Sequence, residues 1–198
     1  MKKRSHLARE IVETVALAIL IFLVIRFVIQ SYHIEGPSMQ PGLHQDEYVL
    51  VNKTAYLFHQ PNRGDVIVFH APPDTTKDFI KRVIGLPGDI IQTSKTDVWV
   101  NGKQLNEPYI ADKENPNGNI WKVPANEYFV LGDNRLVSDD SRDWCYVPKD
   151  YIVGKAAIVY WPVNKWETIP TYSPVYAQIP APPTNTTQGV NFACTPAH

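Results

Sequence analysis

The chain has 198 residues and a formal net charge of −1 at pH 7, enough for one ordinary domain with appendages. That balance argues against nucleic acid as a partner, because nucleic-acid binders usually carry a basic surplus. The two cysteines, Cys145 and Cys194, are too few for a disulfide framework or a cysteine-based zinc site.

In chain order, the first feature is the apolar run 11–29, "IVETVALAILIFLVIRFVI". As a helix it reaches about 28 Å, close to the thickness of a bilayer core. Glu13 and Arg26 lie near its ends, where long side chains reach the interface. The stretch after it, "RFVIQSYH", lacks the small residues a signal-peptide cleavage site needs, so the run reads as a membrane anchor. Lys2, Lys3, Arg4 and Arg9 precede it, and after Arg26 the next basic residue of the Lys/Arg type is Lys53. The positive-inside bias therefore puts residues 1–10 in the cytoplasm and the rest on the other side.

Residues 30–169 read as a β-rich domain. Strand-like runs lie at 46–53, 64–70, 79–85, 89–93, 97–105, 127–133 and 151–162, rich in β-branched and aromatic residues and bounded by Gly, Pro, Asn and Asp. Asn101-Gly102 is a two-residue hairpin signal. Residues 106–125 are polar and irregular, an excursion from the sheet. From Pro170 to His198 the chain is rich in Pro, Thr, Ala and Gln, and is expected to be a disordered tail. Cys194 falls in it, which makes a bridge to Cys145 the less favoured expectation.

Chemistry needs an activated group. Ser38 sits in a plain turn, "IEGPSMQPGL", just past the anchor. None of the histidines lies in a catalytic or metal-binding motif. Lysine can replace histidine as the base, provided burial keeps its amine neutral. In "FIKRVIG" the strand period puts Phe79, Lys81 and Val83 on one face, and Ile80, Arg82 and Ile84 on the other. Lys81 thus has apolar neighbours, although an edge-strand lysine that discourages sheet pairing would read the same way. The loop "GDNRLVSDDSRDW" crowds acids, arginines and hydroxyls into 132–144.

Taken together, "GPSMQPGL", "KRVIGLPGD" and "GDNRLVSDDSRDW", in this order behind an anchor, resemble the signature segments of bacterial type I signal peptidases, over roughly residues 10–162. The resemblance implies a mainly β fold: an antiparallel catalytic domain on a transmembrane helix. It implies a serine endopeptidase that removes signal peptides after small residues at −3 and −1. Ser38 would be the nucleophile and Lys81 the general base. Ser138 would position the lysine amine, and Asp140, Arg142, Asp133 and Arg82 would support the site. Met39 would shape the substrate cleft. Gly36 stands where many members carry a serine or threonine that assists the oxyanion hole, so the second oxyanion donor stays open. Cys145 stands where glycine is common. No metal or cofactor is implied. The partners are membrane-tethered preproteins and the bilayer, and the protein is expected to be a monomer. Two other readings stay open: an anchored β domain that only binds partners, and a maturation peptidase with few substrates.

Overall fold

The computed structural model describes residues 2–112, 114, 118–183 and 191–194, with the backbone alone at 2–5, 7 and 8. Helix α1 covers Lys2–Val28. Within it Arg9–Val28 is long and apolar enough to cross a membrane, with mean hydropathy 2.6 and no part of that window buried by the rest of the chain. The helix passes without a break into strand β1, Ile29–His33.

Twelve strands follow the chain among the described residues. After β1 come β2 (Tyr48–Asn52), β3 (Val66–Ala71), β4 (Asp74–Gly85), β5 (Ile90–Thr93), β6 (Val98–Val100) and β7 (Lys103–Gln104). Next are β8 (Ile120–Lys122), β9 (Glu127–Leu131), the short helix α2 (Ser141–Trp144), β10 (Val147–Pro148), β11 (Ile152–Trp161) and β12 (Glu167–Thr168). Helix α3, Ser173–Tyr176, comes last.

The described strands pair antiparallel in two sheets. The larger runs β1-β2-β11-β3-β4-β9-β10, with β12 on β11; the smaller runs β7-β6-β5-β8. The large sheet is covered on both faces, and the two-residue strand period divides its side chains between separate cores. Val66 and Val68 of β3 join Met39, Val49, Val51, Ala156 and Val159. Ile67 and Phe69 join Val83, Tyr128, Val130 and Val147. Phe129 and Leu131 of β9 face a third core with Ile84, Ile91, Val98, Val100 and Trp121, which welds the small sheet to the large one.

Each of the seven sequence-expected runs contains a strand, and the Asn101-Gly102 turn joins β6 to β7 with φ of 52° and 79°. β10 and β12 were not expected, nor was β8, which pairs with β5 inside the 106–125 stretch expected to be an irregular excursion, nor was β1. Its burial pattern shows no alternation, so it carries no periodic signal and is held by full pairing with β2, Ile29 opposite Asn52 through His33 opposite Tyr48.

The expectation of a disordered tail is corrected for its described part. Tyr176 is buried in the third core beside Tyr109. Pro180 accepts a hydrogen bond from the Asn101 side-chain amide at 2.9 Å, and the Ala193 amide donates to the Ile120 carbonyl at 2.8 Å. Cys194 is bonded to Cys145 across a Cα–Cα distance of 6.1 Å, so the less favoured bridge is present. Composition hid this because prolines and small residues lie along an existing surface without building a core of their own. The tail residues 184–190 and 195–198 lie outside the described residues.

Candidate active site

The excursion between β1 and β2 carries Ser38. The Ile34 amide donates to the Glu47 carbonyl at 2.8 Å and the Asp46 amide to the Ile34 carbonyl at 3.0 Å, which closes the base of the loop. Met39 and Leu43 are driven into the core, and the Leu43 amide donates to the Met39 carbonyl at 2.9 Å. These two apolar plugs fix the turn and leave Ser38 half-buried at its lip. The Asn134 amide holds the Ser38 carbonyl at 3.0 Å.

Lys81 comes from β4, opposite Ile67 of β3. It is 4% exposed, and its Nζ lies 2.7 Å from Ser38 Oγ and 5.3 Å from the Phe79 ring centre. Burial pushes the Lys81 amine down to about 8, against a partial opposing pull from Asp140 and Asp139. Removing water penalises the ammonium more than the amine, so the neutral form is brought within reach at mild alkaline pH.

Ser38 and Lys81 open onto a cleft of about 550 Å³ lined by residues of strands β1 to β4 and the serine loop, among them Ile34, Gly36, Val49, Val68 and Ile80. Gly36 lies at this cleft with φ of +84° and open space where a side chain would begin. Met39 does not line the cleft. It is 1% exposed in the core under the turn, because an unbranched thioether there fills the space that anchors the serine.

Two ion pairs frame the site. The Arg82 guanidinium donates two hydrogen bonds to Asp133, at 2.8 and 2.7 Å, and one each to the Gly64 and Pro170 carbonyls at 2.9 and 2.8 Å. Opposite-charge pairing with Asp133 holds its pKa raised against the effect of burial. Burial raises the Asp133 carboxyl, and the bonds from Arg82 oppose that. In the second pair Asp140 caps α2 and accepts Nε and Nη2 of Arg142 at 2.8 and 2.9 Å. Asp140 also accepts the Gly132 amide at 3.0 Å. Arg142 donates to the Arg135 carbonyl at 2.7 Å. The loop 132–142 is therefore tied to itself by charge-assisted bonds whose partners are removed from water.

Ser138 does not make the bond to the lysine that the resemblance implies. Its hydroxyl is buried with no hydrogen-bond partner among the described residues. It packs so closely on Gly132 that a side chain at 132 would begin 2.2 Å from Ser138 Oγ. Cys145 ends α2 with φ of 80°, a left-handed angle where glycine is favoured.

Sequence reading missed a third pair, Arg135 with Glu107, in which both side chains are buried and Arg135 also donates to the Gly132 carbonyl at 3.1 Å. The two residues lie in separate polar stretches, and only the fold joins them. Asn134 was missed for another reason: it acts through its backbone amide, which any residue other than proline supplies.

A cleft-lining serine in an antiparallel β domain, joined to a helix of membrane length, has the arrangement of an anchored serine hydrolase. A model of the family described as signal peptidase, peptidase S26, matches residues 7–161. The chain is 42% identical over 162 residues to signal peptidase I of Leptolyngbya laminosa, covering 78% of this chain and 80% of that protein. It is 35% identical over 182 residues to signal peptidase IB of Staphylococcus aureus, covering 83% of this chain and 94% of that one. A crystal structure of a signal peptidase I from Enterococcus faecalis V583 is similar at a TM-score of 0.45 and 32% identity, covering 48% of this chain and 96% of the other. The chain belongs to the signal peptidase S26 family and is a serine hydrolase of the signal peptidase I type.

Proposed function

We propose that the chain cleaves signal peptides from exported preproteins by a Ser38–Lys81 dyad. The observation that carries this reading is the 2.7 Å contact between Ser38 Oγ and a buried Lys81 amine. With the amine neutral, the Ser38 hydroxyl donates its proton to Nζ as Oγ attacks the scissile carbonyl. Lys81 then returns that proton to the leaving amine. A water deprotonated by Lys81 hydrolyses the acyl-enzyme and frees Ser38. The Ser38 amide is the first oxyanion donor; Gly36 has no hydroxyl to supply a second.

Small residues at −3 and −1 suit a cleft walled by Ile34, Val49, Val68 and Ile80, because fixed branched side chains reject volume. The substrate is a preprotein whose apolar segment stays in the bilayer beside α1. Lys2, Lys3, Arg4 and Arg9 before the span support a cytoplasmic N-terminus, with the catalytic domain outside.

The test is cleavage of a preprotein with an Ala-x-Ala site in detergent. Ser38→Ala and Lys81→Ala are each expected to abolish cleavage while keeping the fold, and residual processing by either sinks the dyad. For the parent, kcat/KM is expected to rise as pH approaches 8 and to level off above it, since the neutral fraction of Lys81 grows through its pKa of about 8. A profile that is flat from pH 6 to 10 would contradict the lysine base.

A further inference from the structure

The family match ends at residue 161, yet the chain beyond it returns to the site by three routes. In the first, Pro170 accepts Nη1 of Arg82 at 2.8 Å. The same guanidinium lies 4.5 Å from the Tyr109 ring centre and 5.2 Å from that of Tyr172, and those two rings are 4.9 Å apart. Arg82 follows Lys81 directly and forks onto Asp133, so the tail holds the far side of the strand that carries the base.

The second route is a relay. Tyr176 and Tyr109 share a hydroxyl hydrogen bond of 2.5 Å, and Tyr109 donates to Glu107 at 2.7 Å. Glu107 pairs with Arg135, whose Nε binds the Gly132 carbonyl. The next stretch of that loop holds the nucleophile's own carbonyl through the Asn134 amide. In the third route the Cys145–Cys194 bond grips the C-terminal end of α2, the helix capped by Asp140.

The body is shaped to receive this segment. Gly64 has φ of +88°, and a side chain there would begin 1.9 Å from the Thr171 carbonyl and 2.7 Å from the Tyr176 ring. The position thus meets the tail with bare backbone.

We propose that the described segments 170–183 and 191–194 form a strap that positions the catalytic groups, with Tyr172 and Tyr176 as its positioning residues. Tyr172 packs with Tyr109 against the Arg82 guanidinium and so sets the Arg82 fork and hence the register of Lys81. Tyr176 sets the Glu107–Arg135 pair and hence the loop that holds Ser38. Neither touches the reacting atoms. The strap acts through the Ser38–Lys81 dyad proposed above.

The experiment uses the full chain and compares Tyr172→Ala, Tyr172→Phe, Tyr176→Phe and Ser38→Ala with the parent. It records kcat, KM, the pH profile of kcat/KM and thermal unfolding on one preprotein. Tyr172→Ala is expected to lower kcat by at least about tenfold with KM little changed, because a misplaced base costs rate and not ground-state binding. Its pH profile is expected to move alkaline as water reaches the loosened Lys81. Tyr172→Phe keeps the ring and is expected to restore both. Tyr176→Phe removes a hydroxyl and no volume, so it keeps the test decisive where Tyr172→Ala fails to fold; kcat falls there too.

Unfolding temperatures that drop while kcat and the pH profile stay with the parent would overturn the strap, since a purely structural segment behaves that way. Ser38→Ala separates the two readings. If it still cuts, the dyad falls and the strap with it; if it is inactive while the tyrosine variants match the parent, the strap alone falls.

Discussion

At the scale of the residue, Lys81 is held at a cost. Its amine is pushed down to about 8 by burial, from an ordinary value of 10.5, so between those limits the unfolded chain binds more protons than the folded one. Stability therefore rises with pH across that window, and below about 8 the buried ammonium costs roughly 3 kcal/mol. Lys81→Met is expected to be inactive yet more stable than the parent at pH 7, by about 1–3 kcal/mol, an advantage that shrinks towards pH 10.5; denaturant unfolding at several pH values checks it. Arg82→Lys is expected to lose about 2–4 kcal/mol, since an ammonium reproduces neither the fork onto Asp133 nor the carbonyl bonds; thermal unfolding reads this. The apolar setting of Lys81 was legible from Phe79 and Val83, which flank it at strand spacing. The orientation of Ser138 was not, because a hydroxyl's rotamer is decided by how the loop folds back on neighbours such as Gly132. Nor was the left-handed backbone of Cys145, which only the cap of α2 reveals.

At the scale of the element, two glycines with positive φ separate conformation from crowding. Gly102 has φ of +79° with open space around it, whereas Gly64 has φ of +88° against tail backbone 1.9 Å from where a side chain would start. Gly102→Ala is expected to cost about 1 kcal/mol, from backbone strain alone. Gly64→Ala adds a collision and is expected to cost at least about 3 kcal/mol, and to lower kcat by displacing Thr171. Unfolding curves and kcat measured side by side distinguish the two. The hairpin at Asn101-Gly102 was legible because its turn requires those residue types. β1 and β10 were not, since β1 lacks a buried face and β10 spans only Val147–Pro148; pairing partners and not sequence period create them.

At the scale of the whole molecule, the chain is secured at both ends of its catalytic sheet. α1 enters at β1, and the Cys145–Cys194 bond ties residues 49 apart in sequence. Closing a loop of that length contributes about 4 kcal/mol in the chain-entropy account. Reduction is expected to lower the unfolding temperature by roughly 10 °C or more, read by calorimetry with and without dithiothreitol, and Cys145→Ser/Cys194→Ser should reproduce it. The helix of membrane length, the β domain and the three motif segments were legible, because hydropathy and strand period are local signals. The packed tail was not, because its stability comes from a surface that the rest of the fold provides.

The same bond gives the enzyme a history. Cys194 is translated after every residue of the site, and two thiols join only where an oxidant is at hand. Under reducing conditions the chain keeps Ser38 and Lys81 but lacks the covalent tie at the end of α2. The tie at the end of α2 is therefore set by the redox poise around the chain as well as by its fold.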